Sequence, residues 1–169
     1  MKIELKNIKH AKFASQETDC FEATVYIDGV KVGIVENDGH GGSNSYHPWS
    51  LQETLNAHAA TLPDIVSHDL QDQEDPTKPF TYRPHADTII DDLFTDWLVS
   101  KDFDRIIRSR LVWTKSDGLV YQTKKLTKVE MDGFAAMSEE VLRKKLRDAV
   151  VILNRLPRDE ALAIFKATA

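Results

Sequence analysis

The chain has 169 residues, 41% of them hydrophobic, a length and apolar content that suit one domain with a sizeable core. The net charge of −5 and the charged fraction of 29% are ordinary, so they do not by themselves indicate nucleic acid or an anionic membrane as a partner. The single cysteine, Cys20, excludes an internal disulfide, and no apolar run reaches the roughly 18 residues of a membrane span, so we expect a cytoplasmic protein.

The first predicted elements are a strand at 2–6 and a β-hairpin at 21–37. Asp28 and Gly29 fit the two central positions of a type I′ turn, which require positive φ. This turn places three residue pairs of the hairpin on one apolar face: Ile27 with Val30, Val25 with Val32, and Ala23 with Ile34.

An unusual loop, DGHGGSNSYH at 38–47, follows the hairpin and is the first candidate site. Tertiary burial alone would not require three glycines around a histidine. The candidate binding residues of this loop are Gly39, His40, Gly41, Gly42, Tyr46 and His47.

Three interpretations of the loop stay open. His40 and His47, together with the Asp38 carboxylate, are a sufficient set of ligands for zinc, manganese or iron, although their spacing matches no established metal motif. Successive glycine amides can instead cradle a phosphate, although the loop lacks the P-loop and dinucleotide-binding patterns. In the third interpretation the loop is structural, with glycines supplying positive φ and histidines bonding to the backbone.

Helices are predicted to dominate the middle of the chain. A capping-box pattern at 50–53 predicts a helix that starts at Leu51. The acidic, proline-containing segment 63–84 shows little periodicity and is predicted to be a long loop. An apolar stripe predicts a second helix at 85–99, after which Ser100 is expected to cap a further short helix.

A second hairpin is predicted at 111–125, with a three-residue loop at 116–118. This register pairs Trp113 with Tyr121. The second strand is expected to continue as a basic sheet edge that contains Lys124, Lys125 and Lys128.

Near the end of the chain, Ser138 is expected to cap a helix, and the β-branched run at 150–153 favours a short strand over an extension of that helix. Pro157 suits the first position of a terminal helix. Because strands come early and both turns belong to antiparallel hairpins, the sequence predicts an α+β fold. We expect a small antiparallel sheet built from two β-hairpins and covered by three to five helices, in a single domain over 1–169.

Charge is distributed unevenly along the chain. Residues 64–96 carry 2 Lys/Arg against 9 Asp/Glu, whereas residues 101–169 carry 15 against 10. Two solvated faces that attract one another would explain this difference, and so would an acidic surface that docks on a basic partner. The candidate acidic contact surface consists of Asp72, Glu74, Asp75, Asp87 and Asp91. A basic set that would instead contact RNA or DNA consists of Arg105, Arg108, Arg110, Lys124 and Lys125.

Two segments, ASQETDCFEATVYIDGVKVGIVENDGHGG at 14–42 and VVILNRLPRDEALAIFKA at 150–167, resemble small uncharacterised proteins carried by bacteriophages, prophages and plasmids. The resemblance covers mainly residues 1–50 and 150–168. It implies an accessory role for a mobile element, because many proteins of that size and origin bind and block a host protein, including defence systems directed at nucleic acids. It transfers no catalytic residues.

Two hypotheses of different classes follow. The first is a non-enzymatic protein-binding accessory protein, a candidate counter-defence inhibitor, which needs no cofactor and contacts a host protein through its acidic residues. The second is a small metal-assisted hydrolase or nucleotide-binding enzyme centred on the DGHGG loop. Its catalytic residues would be His40, His47 and Asp38, its metal ligands His40 and His47, and its cofactor a divalent metal. The chain contains none of the established catalytic motifs, which favours the first hypothesis.

Overall fold

The computed structural model describes residues 1–71, 75 and 77–168, with the side chains of 68–71 excepted. The chain divides into two compact units, Met1–Thr95 and Asp96–Ala169. Among the described residues, the first unit contains two antiparallel sheets and the second unit contains one. The organisation of the whole chain as one domain stays a prediction.

The first unit is built on a four-stranded antiparallel sheet with the strand order β1-β2-β3-β4. These strands are Ile3–His10, Phe21–Ile27, Val30–Asn37 and Ser45–His47. One face of the sheet is buried, since alternate side chains point to opposite faces of a strand. The buried side chains on β2 and β3 are Phe21, Ala23, Val25 and Val35.

The predicted turn joins β2 to β3. Asp28 and Gly29 have φ values of 49° and 83°, as a type I′ turn requires. The predicted pairing of Ile27 with Val30 is confirmed. The local turn chemistry therefore sets the register at this end of the hairpin.

A β-bulge changes the register farther along the hairpin. Val32 is an extra residue on β3, so that Val25 lies opposite Gly33 and Ala23 opposite Val35. The predicted pairs of Val25 with Val32 and Ala23 with Ile34 are therefore wrong by one residue. Because of the bulge, Val35 takes the core position on β3.

Helix α1 spans Trp49–Ala59 and buries Leu51 and Leu55, as the sequence predicts. Its start differs from the prediction. Pro48 is the N-cap in an extended conformation and no side chain caps the helix, so Ser50 lies inside the first turn. The predicted capping box is therefore wrong.

The segment predicted to be a loop, 63–84, contains two strands. Strand β5 spans Ile65–Gln71 and pairs antiparallel with β6, Pro79–Tyr82. The loop prediction is wrong for these residues, because each strand is stabilised by its partner rather than by a pattern visible in its own sequence. Pro79 opens its strand, a position where a missing amide is tolerated.

Helix α2 is continuous over Ala86–Ile107, so the predicted break at Ser100 is wrong. The Ser100 hydroxyl donates to the carbonyl oxygen of Asp96, one turn earlier, at 2.7 Å. A serine within a helix can satisfy its hydroxyl in this way and need not start a new helix. Residues of α2 belong to both units.

The second unit contains a three-stranded antiparallel sheet with the order β8-β7-β9. Strand β7 is Val112–Thr114, β8 is Val120–Gln122 and β9 is Val151–Ile152. The strand predicted within 150–153 is confirmed by β9.

The predicted register of the second hairpin is also confirmed. Trp113 lies opposite Tyr121, and Gly118 takes a positive φ of 79° in the three-residue loop. The glycine and the loop length together fix this register.

Three helices complete the second unit: α3 at Lys128–Ala135, α4 at Glu139–Lys145 and α5 at Arg158–Lys166. The predicted basic extension of β8 is wrong, because Thr127 and Glu130 form a capping box that starts α3. Ser138 caps α4 as predicted, whereas Pro157 is the N-cap of α5 and precedes its first turn.

A partly buried asparagine connects the end of α2 to the sheet of the second unit. The Oδ1 atom of Asn154 accepts from the Val112 amide at 2.7 Å. Its Nδ2 atom donates to the carbonyl oxygens of Ile107 at 3.2 Å and Arg110 at 3.0 Å. The core around this connection contains Phe103, Val112, Leu153, Ala161 and Leu162.

The predicted α+β class is confirmed: the described residues form five α-helices and small antiparallel sheets. The two predicted hairpins lie in separate sheets, because each pairs with different additional strands. Over the described part of the chain, no helix combines the length and the apolar character needed to cross a membrane.

Candidate functional site

The DGHGG loop joins β3 to β4 and packs against the loop at 11–20. The Gly39 carbonyl oxygen accepts hydrogen bonds from the amides of Gln16 at 2.9 Å and Glu17 at 3.1 Å. Gly39 has a φ of 86°, and a Cβ atom there would lie 2.5 Å from the Ala14 carbonyl oxygen. This glycine is therefore required by the contact between the two loops.

Three successive amides of the loop are used inside the chain. The Gly39 amide donates to Asn37 Oδ1 at 2.9 Å, and the His40 amide donates to Asp38 Oδ1 at 3.1 Å. The Gly41 amide donates to the Thr18 hydroxyl at 3.2 Å. These donors are committed to the fold, which removes the main support for a phosphate cradle at this position.

The two histidines of the loop have separate acidic neighbours. His40 Nδ1 lies 3.5 Å from Asp38 Oδ1, and His47 Nε2 lies 3.2 Å from Glu36 Oε1. Both imidazoles are more than half exposed. Within the described residues, no group of three or more His, Cys, Asp or Glu side chains could hold a metal ion. The metal hypothesis therefore stays a prediction from the sequence.

The Asn37 side chain, at the end of β3, uses each of its polar atoms twice. Its Oδ1 atom accepts from the Thr18 hydroxyl at 2.8 Å and from the Gly39 amide. Its Nδ2 atom donates to the Gly42 carbonyl oxygen at 2.9 Å and to Asn44 Oδ1 at 3.1 Å. One side chain therefore connects the two loops and the start of β4.

Two further hydrogen bonds connect this end of the sheet to α2. Asn44 Nδ2 donates to Asp91 Oδ1 at 2.9 Å. The Tyr46 hydroxyl donates to Asp87 Oδ1 at 2.6 Å. Asn44 and Tyr46 are buried, so these bonds fix the two carboxylates against the sheet.

Asn44, Asp87 and Asp91 line a depression of about 200 Å³ in the first unit. The rings of Phe21 and Phe94 line it and are stacked, with their centroids 4.2 Å apart. Three carboxylates also line it, those of Asp19, Asp87 and Asp91. We call this depression, lined by the three carboxylates and by Phe21 and Phe94, the acidic depression.

Partial burial of its carboxyl group raises the pKa of Asp91. The hydrogen bond from Asn44 lowers it, while the charges of Asp87 and Asp92 raise it further. Burial, together with the bond to Asp87, also raises the pKa of the Tyr46 phenol. Tyr46 therefore keeps the proton that it donates to Asp87.

A histidine supports the third carboxylate. His10 Nε2 lies 2.9 Å from Asp19 Oδ1, and its side chain is largely buried. The His10 ring meets the Phe94 ring edge to face at a centroid distance of 5.4 Å. Asp19 is thus held in place at the side of the depression.

The predicted acidic contact residues have different positions. Asp87 and Asp91 line the acidic depression. Asp75 instead bonds to the Thr77 hydroxyl at 2.6 Å and pairs with Lys78 at 2.8 Å between β5 and β6. The other two predicted residues, Asp72 and Glu74, lie outside the described residues.

The predicted loop residues contribute mainly through their backbone. Gly42 lines the depression, and Tyr46 supports Asp87 from below the surface. Sequence reasoning missed the roles of Asn37, Asn44 and Asp19. In the sequence, the one signal for these roles is that the two asparagines flank the glycine loop, a position where Asn commonly bonds to nearby backbone.

Comparison with known proteins found no matching family model, no matching curated protein and no matching solved structure.

Replacing Asn37 with alanine should destabilise the fold by about 2–6 kcal/mol, since four hydrogen bonds are lost at roughly 0.5–1.5 kcal/mol each. Urea unfolding measures this change. Gln16→Ala is the control, because Gln16 lies on the adjoining loop and is exposed. Equal stability of Asn37→Ala and Gln16→Ala would contradict the central position of Asn37.

Replacing Asp91 with asparagine should change how stability depends on pH. The substitution removes the charge and keeps an Oδ1 acceptor for Asn44. Because the folded pKa lies above the ordinary value of 3.8, the wild type gains stability relative to Asp91→Asn as the pH falls toward that value. This contribution is lost as the pH rises through the folded pKa, so the variant should be at least as stable as the wild type near neutral pH.

Melting temperatures between about pH 4 and about pH 8 test this linkage. Asp64→Asn, at an exposed position of the same unit, is the control. A wild-type-minus-Asp91→Asn difference that stays constant over the whole range would show that the carboxyl of Asp91 is not perturbed by folding.

Proposed function

We propose that the chain is a non-enzymatic accessory protein of a mobile element, which binds a host protein by taking a basic side chain of that partner into the acidic depression. One observation carries the proposal: Asp19, Asp87 and Asp91 line the same depression as a pair of stacked aromatic rings. The origin in a mobile element and the choice of a host partner rest on the sequence resemblance of 14–42 and 150–167.

The depression matches both parts of a lysine or arginine side chain. The aliphatic stem of such a side chain packs on apolar surface while its charged end stays polar. Here the stem would lie against Phe21 and Phe94, and the cation would meet the carboxylates. Arginine has the better match, because its planar guanidinium bonds to carboxylates through two donors and also stacks on aromatic rings.

The carboxylates are positioned before any partner arrives. Asp87 and Asp91 each accept an internal hydrogen bond through Oδ1. Among the described residues, no donor bonds to the Oδ2 atom of either one. A ligand can therefore bond to these oxygens without breaking the network, and little conformational entropy is lost on binding.

The net charge of the first unit also favours a basic partner. Residues 1–95 carry 7 Lys/Arg against 16 Asp/Glu, a net charge of −9. A field of this sign accelerates the approach of a basic surface and weakens as salt is added. Host surfaces rich in Lys and Arg commonly contact nucleic acid, so occupation of such a surface would block a defence protein that acts on nucleic acid.

A photo-reactive amino acid at Ser43, an exposed residue that lines the depression, tests this function directly. Irradiation of host cells that express the labelled protein should give a discrete cross-linked product with one host protein. Adding Asp87→Asn and Asp91→Asn together should abolish the product. Asparagine still accepts the bonds from Tyr46 and Asn44, so the fold is kept while the charge is removed.

The matched control is Glu53→Gln with Asp64→Asn, which removes the same charge from exposed positions of the same unit. The control should retain the product. An equal loss of the cross-linked product in both double variants would show that the net charge of the unit, and not the acidic depression, determines binding. Absence of any discrete product with the wild type would contradict the proposed binding function.

A further inference from the structure

A second charged depression, of about 260 Å³, lies in the second unit. Three cationic side chains and two neutral polar side chains line it. We call it the basic depression, and these five residues are Arg105, Ser109, Arg110, Gln122 and Lys125.

The five basic residues predicted to contact nucleic acid lie in different places. Arg105, Arg110 and Lys125 line the depression, whereas Arg108 and Lys124 do not. The pKa of Asp104 is lowered mainly by its hydrogen bond to Arg158, and the nearby charge of Arg108 contributes. Arg108 is therefore close to Asp104.

Lys124 has an acidic neighbour as well. The pKa of Glu130 is lowered mainly by its hydrogen bonds with Thr127, and the charge of Lys124 adds to this effect. Of the five predicted residues, three therefore line one depression and two lie outside it.

The end of α2 does not require the cations of the basic depression. The Ile106 carbonyl oxygen accepts from the Ser109 amide at 3.1 Å. Asn154 donates to the carbonyl oxygens of Ile107 and Arg110. Neutral donors thus satisfy carbonyl groups that would otherwise attract cations to the end of a helix.

The cations have few strong partners inside the protein. Arg105 pairs with Asp102 at 3.0 Å, but both side chains are well exposed, so the pair is weak and screened by salt. Arg110 donates to the Thr123 carbonyl oxygen at 3.3 Å, which orients its guanidinium. Within the described part of the chain, Lys125 forms no ion pair.

We infer that the basic depression binds a phosphate group. Two guanidinium groups and one ammonium group would bond to its oxygens, and Ser109 and Gln122 add neutral donors. The second unit carries 15 Lys/Arg against 11 Asp/Glu, so its overall charge also favours an anion. The same chemistry recognises the phosphodiester of a nucleic acid and the phosphate of a small molecule.

Two probes separate these sources: a fluorescently labelled single-stranded oligonucleotide, followed by anisotropy, and inorganic phosphate, followed by NMR shifts of Ser109 and Gln122. The full chain is used in both cases. The test variant is Arg105→Gln with Lys125→Gln. Its matched control is Arg108→Gln with Lys124→Gln, which removes the same charge from neighbouring positions outside the depression.

For a nucleic-acid phosphate, the test variant should bind the oligonucleotide at least about tenfold more weakly, and the control should stay within about twofold of the wild type. The slope of log affinity against log salt should decrease in magnitude by about 0.7 in the test variant, because one phosphate contact is lost.

For a small-molecule phosphate, inorganic phosphate should shift the Ser109 and Gln122 signals in the wild type and the control but not in the test variant, while the oligonucleotide does not bind. Equal weakening in both double variants would overturn the inference, and so would a wild type that binds neither probe. Unchanged melting temperatures establish that both variants are folded. The residues lie in the second unit, so this result is independent of the cross-linking at Ser43.

Discussion

The side chain of Asn37 joins two loops and the start of β4 through four hydrogen bonds, two accepted by Oδ1 and two donated by Nδ2. An amide side chain has no further strong bonding capacity, so this group is fully used. Its position fixes Asn44, which in turn holds Asp91 on α2. The acidic depression therefore depends on a residue at the end of β3 that need not touch a ligand itself.

Beside both depressions, neutral side chains form the internal hydrogen bonds. The charged groups that line each depression can therefore interact with a ligand. In the first unit, Asn44 and Tyr46 hold two carboxylates, and the cost of partial burial appears as the raised pKa of Asp91. In the second unit, Asn154 bonds to carbonyl groups at the end of α2, where a cation would otherwise be favoured. Perturbed or uncompensated charges of this kind are a feature of functional sites.

Local signals predicted much of the fold, and distant partners explain the remainder. The turns at 28–29 and 116–118 require positive φ, and the glycine and aspartate residues at these positions predict it directly. The bulge at Val32 and the strands within 63–84 depend on cross-strand partners, so periodicity did not show them. The acids of the candidate site were visible as charge. The function of Asn37 was not, because Asn37 joins the glycine loop that follows it to Thr18, which lies on a separate loop earlier in the chain.

The most direct test of this account is the exchange of the side-chain amide protons of Asn37 and Asn44 with water, measured by NMR. Both Nδ2 groups should exchange much more slowly than the exposed side-chain amide of Gln16, because each donates within the network. Asp91→Ala should accelerate exchange at Asn44. Exchange at Asn37 and Asn44 as fast as at Gln16 would show that the network does not persist in solution and would contradict the account.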